Sequence, residues 1–288
     1  MTRSRATAIG FVAVLLWALL ALFTVGSAPT PPLLLNTLCF ALGGTLGLIW
    51  GLATGALGQL RRVPFRVYVF GTLGLFGYHA LYFSALRLAP AAEAGLIAYL
   101  WPLLIVIFSG LLPGETLRAG HVAGAALGFG GAALIITGGG LGFSPEHLAG
   151  YALALLCALT WSGYSVVSRL VGDAPTASVT VFCLATAALS LPLHLLFEDT
   201  VFPDTALGWA AIAGLGLGPV GLAFFVWDIG VKQGDIQLLG TSSYAAPLLS
   251  TLVLVVAGVA APSFTLLWAA VLITGGAAIA ATTSLKER

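Results

Sequence analysis

Long apolar runs separated by short polar connectors set the pattern of this chain. A bilayer core about 30 Å thick takes roughly 20 apolar residues of helix to cross. Runs of that length fall at approximately 6–26, 32–55, 67–88, 90–111, 119–138, 147–169, 176–197, 207–231, 236–257 and 264–284. Ten membrane-spanning helices are therefore predicted, with connectors too short for a further domain. The opening, MTRSR and then an apolar run, has the outline of a signal peptide. Its run is long for one and the chain after it never leaves the membrane, so an uncleaved first span is expected. Composition agrees: 59% of residues are hydrophobic and 7% charged, where soluble domains carry roughly 25% charged residues.

The pattern repeats. AEAGLIAYLWPLLIVIFSGLL in span 4 returns as SSYAAPLLSTLVLVV in span 9, with Tyr99 on Tyr244 and Pro102 on Pro247 at an offset of 145. At the same offset Tyr82 falls on Trp227 and Arg87 on Lys232; at 144, Trp17 falls on Trp161 and Cys39 on Cys183. Two copies of a five-span unit follow, residues 1–140 and 141–288. An odd number of spans makes the second copy enter the membrane in the opposite sense, the inverted-repeat signature of many secondary transporters. The predicted fold is an all-α membrane protein, ten transmembrane helices forming two inverted five-helix repeats around a central cavity. The plainer alternative is a duplicated membrane protein that moves nothing.

Charge orients the bundle. With the N-terminus inside, Arg3, Arg5, Arg61, Arg62, Arg66, Arg118, Arg169, Lys232, Lys286 and Arg288 lie inside and only Arg87 outside, which by the positive-inside rule puts both termini in the cytoplasm. The net charge of +1 carries no message about acidic partners, and no nucleic-acid partner is expected. Cys39, Cys157 and Cys183 sit within spans, where small thiols pack well, so no disulfide framework is implied.

Candidate chemistry concentrates in a few spans. In span 3, Tyr78 and Tyr82 share a helix face with His79 about 100° away. Hydroxyls and an imidazole at that depth should face protein or a wet cavity, since facing lipid would be costly; a buried histidine satisfied by a neighbouring hydroxyl or carbonyl is the other reading of His79. Span 4 adds Tyr99, Trp101 and Pro102. Proline removes a backbone hydrogen bond and bends the axis, so Pro102 and Pro247 read as paired bends beside a cavity or as passive kinks used for packing. Span 6 carries a polar stripe of Trp161, Ser162, Tyr164, Ser165 and Ser168. Gly43, Gly47, Gly51 and Gly55 in span 2, and Gly120, Gly124 and Gly128 in span 5, form smooth strips for close helix packing. Asp228 in span 8 stands four residues before Lys232 and can pair with it, either as an interfacial ion pair that fixes helix depth or as a gate latch or ligand anchor.

The ten spans in two copies, the opening MTRSRATAIGFVAVLLW, the AYLWPLL segment and its SSYAAPLLS echo resemble the drug/metabolite transporter superfamily, and within it the EamA-type exporters. The resemblance covers essentially the whole chain. It implies export of aromatic and other neutral amino acids through a central cavity formed by spans 1, 3, 4, 6, 8 and 9, in a bacterial inner membrane. The positions it marks for substrate binding are Tyr78, His79, Tyr82, Tyr99, Trp101, Trp161, Tyr164, Trp227 and Tyr244; Pro102, Pro247, Asp228 and Lys232 remain the residues' own candidates for gating or bending. Some small multidrug relatives use a membrane-embedded Glu in their first span; this chain has none there.

The residues agree with that implication. Tyr, Trp and His offer apolar bulk with hydrogen-bonding tips, and no deep Arg or Lys awaits a multiply charged phosphate. No HExxH, paired intramembrane aspartates or Cys/His metal spacing occurs in a span, so neither an enzyme nor a metal site is expected. The expected function is alternating-access uniport with no cofactor, by a monomer whose partners are its amino acid substrates and the lipid bilayer. A proton-coupled drug/metabolite exporter and a lipid flippase are the alternatives.

Overall fold

The computed structural model describes residues 1–138, 142–171, 173–258 and 263–285. Lys286, Arg288 and the expected boundary between the copies lie outside them. Among the described residues the regular elements are all helices: α1 (Arg3–Trp17), α2 (Leu20–Gly26), α3 (Pro32–Thr54), α4 (Leu57–Leu60), α5 (Phe65–Leu88), α6 (Ala91–Ala98), α7 (Trp101–Ser109), α8 (Ala119–Thr137), α9 (Leu148–Leu170), α10 (Ser178–Phe197), α11 (Ala206–Leu217), α12 (Ala223–Gln233), α13 (Ile236–Ser242), α14 (Ala245–Val256) and α15 (Phe264–Leu285). Among the described residues ten segments are long and apolar enough to cross a membrane, at the positions the hydropathy pattern predicts to within a few residues. The protein is a multi-pass, all-α membrane protein.

Four of the ten spans are interrupted. Span 1 breaks between α1 and α2, span 4 between α6 and α7, and span 9 between α13 and α14. Span 8 carries a π-helical turn, Gly218–Leu222, between α11 and α12. The breaks in spans 4 and 9 fall at Tyr99–Leu100 and Ser243–Tyr244, just ahead of the prolines. Pro102 stands in the first turn of α7 and Pro247 in that of α14, where the missing N–H costs no helical bond. The break in span 1 was not foreseen, because no glycine or proline marks Ala18–Leu19.

The four most extensive helix pairings cross between the two sequence halves, α8 with α15, α3 with α10, α5 with α9 and α1 with α12, and α7 also meets α13 across them. In span numbers these are 5 with 10, 2 with 7, 3 with 6, 1 with 8, and 4 with 9. Exchanging the halves returns the same set.

Small residues make the crossings close. A Cβ on Gly10 of α1 would stand 2.7 Å from the Gly230 Cα of α12, and one on Gly124 of α8 would stand 2.5 Å from the Gly276 carbonyl oxygen of α15. Close backbone approach replaces the hydrophobic effect that lipid does not supply. The strips of spans 2 and 5 serve this purpose at most positions, but Gly51 packs on Leu57 of α4, just after its own helix, and Gly55 differs again. Gly55 has φ +72° and ends α3 as its left-handed cap, leaving only open space where a side chain would be.

Candidate functional site

Where the halves meet, at mid-depth, four indoles fill the centre of the bundle. Trp17 ends α1, Trp101 begins α7, Trp161 lies within α9 and Trp227 within α12. Every pair among them is in ring contact, with centroids 5.1 to 6.4 Å apart. Edge-on and tilted pairings dominate, as ring quadrupoles prefer. Two indole N–H groups are committed: Trp17 Nε1 donates to the Pro219 carbonyl at 3.1 Å, and Trp227 Nε1 donates to Ser165 Oγ at 3.1 Å. Those of Trp101 and Trp161 have no protein acceptor among the described residues.

Against this cluster α5 lays its polar residues. Tyr78 stacks on Tyr82 (6.1 Å, 10°) and leans on Trp161 (5.5 Å). Tyr99 lies 6.3 Å from Trp101. The His79 ring meets Phe40 edge-on at 4.9 Å, and its Nδ1 is 2.7 Å from the Leu75 carbonyl one turn back. A carbonyl only accepts, so Nδ1 carries a proton, and in the neutral ring Nε2 presents a lone pair. The Nε2 atom and the hydroxyls of Tyr78, Tyr82 and Tyr99 have no protein partner among the described residues. All four side chains keep partial exposure, whereas Trp101, Trp161 and Trp227 are buried. The structure brings together Tyr78, His79, Tyr82, Tyr99, Trp101 and Trp161. The indoles pack on one another at the centre, and the unpaired polar tips lie beside them.

Three other predicted site residues are tied down. Trp227 is wholly buried with its N–H taken. Tyr164 fills the notch at Gly74 of α5, where a Cβ would come within 2.4 Å of its ring, and stacks on Phe70. Tyr244 is 0% exposed and its hydroxyl accepts from Leu103 N at 3.0 Å. Leu103 belongs to the first turn of α7, whose amides lack intrahelical partners, so a residue of one half caps the broken helix of the other. Next to the breaks α13 packs on α7, with Gly240 placed so that a Cβ would sit 3.1 Å from the Pro102 carbonyl oxygen. Tyr244→Phe removes only this acceptor. It is expected to cost about 1 kcal/mol of stability and to speed amide exchange at Leu103, measured by hydrogen–deuterium exchange, while Tyr99→Phe leaves that amide protected.

The acid inside span 8 is also fully engaged. Asp228 pairs with Lys232 at 2.9 Å and accepts from Thr176 Oγ1 at 2.8 Å, while Lys232 donates to the Ala174 carbonyl at 2.8 Å. Both side chains are buried, so the pair is a staple between α12 and the α9–α10 connection. Among the described residues no group of three or more His, Cys, Asp or Glu could hold a metal ion.

Comparison with known proteins fits this arrangement. The model of the EamA-like transporter family matches residues 5–137 and again 148–282. The chain belongs to the EamA-like transporter family. It is 57% identical over 282 residues, 97% of this chain and 98% of the relative, to the aromatic amino acid exporter YddG of Ancylobacter novellus. It is 29% identical over 268 residues, 87% and 88% of the two chains, to the protein of the same name from Salmonella typhimurium. A solved crystal structure 55% identical in sequence superposes with a TM-score of 0.95 over 100% of both chains. Family membership places the chain among transporters rather than membrane enzymes.

Sequence reasoning missed two parts of this EamA-like site. Trp17 is a full member of the indole cluster, and its equivalence with Trp161 at offset 144 was the available signal. The π-helical turn that accepts its N–H includes Pro219, in the run GLGLGPVGL of span 8.

Proposed function

We propose that this EamA-like transporter exports aromatic and other neutral amino acids across a bacterial inner membrane, as a monomeric uniporter working by alternating access with both termini in the cytoplasm. The observation that carries the reading is the set of unpaired polar tips around aromatic faces. An aromatic side chain finds flat apolar surface against Tyr78, Tyr99, Trp101 and Trp161. The cargo's carboxylate can accept from the free tyrosine hydroxyls and indole N–H groups, and its ammonium can donate to His79 Nε2 and the same hydroxyls. The exporters of aromatic amino acids among its relatives support that cargo. The symmetric exchange of helix pairings, and a family match that occurs once in each half, support residues 1–140 and 141–288 as inverted repeats. Helix interruptions at Tyr99 and Tyr244, where the halves touch, supply equivalent points at which spans 4 and 9 can change shape; Pro102 and Pro247 hold the helix starts that follow.

The state of the titratable groups supports uniport. Asp228 is consumed by Lys232 and Thr176, which leaves His79 beside the cluster, positioned by Leu75 to meet cargo. The test is flux in proteoliposomes with Trp, Phe and Thr. Counterflow at matched pH is expected for all three, with no accumulation when a pH difference is imposed without a substrate gradient. Accumulation driven by the pH difference would establish the proton-coupled exporter instead. Scrambling of labelled lipid without amino acid counterflow would establish the flippase.

A further inference from the structure

The face of the bundle that carries the start of α1 is closed by charges that no span pattern announces. Glu115, in the α7–α8 connection, receives Arg3 Nη2 at 2.9 Å and, on its other oxygen, Arg169 Nη2 from the end of α9. Arg169 Nη1 continues to the carbonyls of Val231 (3.1 Å) and Gly234 (2.8 Å), which end α12. Asp235 lies 3.7 Å from Arg3, donates its backbone N–H to Thr7 Oγ1 at 2.8 Å, and caps α13 by accepting from Leu238 N. Two positive and two negative groups thus join the ends of spans 1, 4, 6, 8 and 9. The Glu115 and Asp235 side chains are only 4% and 3% exposed, against 38% for Arg3 and 19% for Arg169, so two buried acids are neutralised by partly exposed arginines, and removing a partner from a buried charge is costly.

What lies under the cluster shows what it closes. Gln237 and Thr241 are four residues apart on one face of α13 and are 0% and 1% exposed. Gln237 Nε2 donates to the Thr116 carbonyl at 3.1 Å, but Gln237 Oε1 and Thr241 Oγ1 have no protein partner among the described residues. Polar atoms buried without partners are unfavourable in this form and gain hydration if the face opens. On the side of α13 that faces α1 there is room to move, a cleft of about 320 Å³ lined by Thr7, Phe11, Leu238 and Ser242 among others.

We propose that Glu115 is the clasp of this face: it must release Arg3 and Arg169 in every cycle, and cargo then passes along the stripe of Gln237 and Thr241. The inference rests on the alternating-access reading, but its test does not depend on which cargo is carried. Hydrogen–deuterium exchange is compared between the wild-type protein and E115Q without substrate. In E115Q, segments 3–10 and 235–242 are expected to exchange about tenfold faster, the effect of losing a charge-assisted hydrogen bond, while segment 194–200 on the opposite face is unchanged. Unchanged exchange at 3–10 and 235–242 would overturn the proposal. If E115Q exchanges fast everywhere, R3Q replaces it, since Arg3 is the more exposed partner. The same two segments should then open several-fold, and no change there would again overturn the clasp. The passage is read by T241C with a membrane-impermeant maleimide, the parent chain with its three buried cysteines serving as blank. Labelling that rises severalfold when E115Q or R3Q is added supports the passage, and equal labelling with and without them rejects it.

Discussion

Trp161→Phe is expected to lower counterflow of Trp and Phe about tenfold while Thr counterflow falls less than threefold. Trp161 touches Trp17, Trp101 and Trp227, and also Tyr78, Tyr164 and Phe224, so no other ring is as central. Its N–H is one of the two free indole donors. The substitution withdraws that donor and part of the flat surface, and a hydrogen bond together with some tens of Å² of apolar contact is worth roughly 1–2 kcal/mol. Phenylalanine keeps the site filled. Trp161→Ala would instead open a core cavity at a cost of roughly 3–5 kcal/mol and would confuse loss of fold with loss of binding. Initial rates in proteoliposomes, normalised to folded protein, make the measurement. Equal losses for the three amino acids would show that the indole supports the fold and not the choice of cargo.

Gly10→Ala is expected to lower the melting temperature in detergent by several degrees, whereas Gly163→Ala leaves it unchanged or raises it. Both positions are inside helices, where alanine gains up to about 1 kcal/mol over glycine. Gly163 has nothing within 4 Å of a new methyl group, but at Gly10 the methyl would stand 2.7 Å from the Gly230 Cα. The obstacle is backbone, so α1 and α12 must separate, and overpacking of this kind costs roughly 1–3 kcal/mol. The same separation would pull Thr7 from Asp235 N and Arg3 from Glu115. Gly10→Ala should therefore also weaken the closed face. A melting temperature equal to that of Gly163→Ala would mean that the crossing has slack.

Much of this was legible in the residues because membrane spans obey a simple rule. A run of apolar residues must form its backbone bonds within itself, so length and hydropathy located all ten spans. The repeat was legible too, since Tyr99 and Tyr244 stand in like sequence, and it pointed to the place where the helices break. What it could not reveal was how alike residues differ in use. Tyr99 keeps a free hydroxyl beside the indoles, while Tyr244 spends its own on Leu103 N. That difference depends on which helix crosses which, a fact absent from any local pattern. Gly55 fits the four-residue glycine spacing of span 2 and yet serves as a cap, because the helix ends there. The clasp was hidden for a similar reason. Arg3 and Glu115 are 112 residues apart, and each alone reads as an ordinary charge at a helix end.

The crossing of every principal helix pair between the halves bears on how the protein is made. A five-span half emerging from the ribosome holds glycine faces on α1, α3 and α8 whose partners, α12, α10 and α15, have not yet been synthesised. Local contacts within that half are sparse, so it enters the bilayer as inserted but unpacked helices. Packing is completed only when α15 arrives to cover α8. Assembly is therefore governed by contacts distant in sequence, which delays the compact state. A chain truncated after α14 leaves the Gly124 face of α8 against lipid.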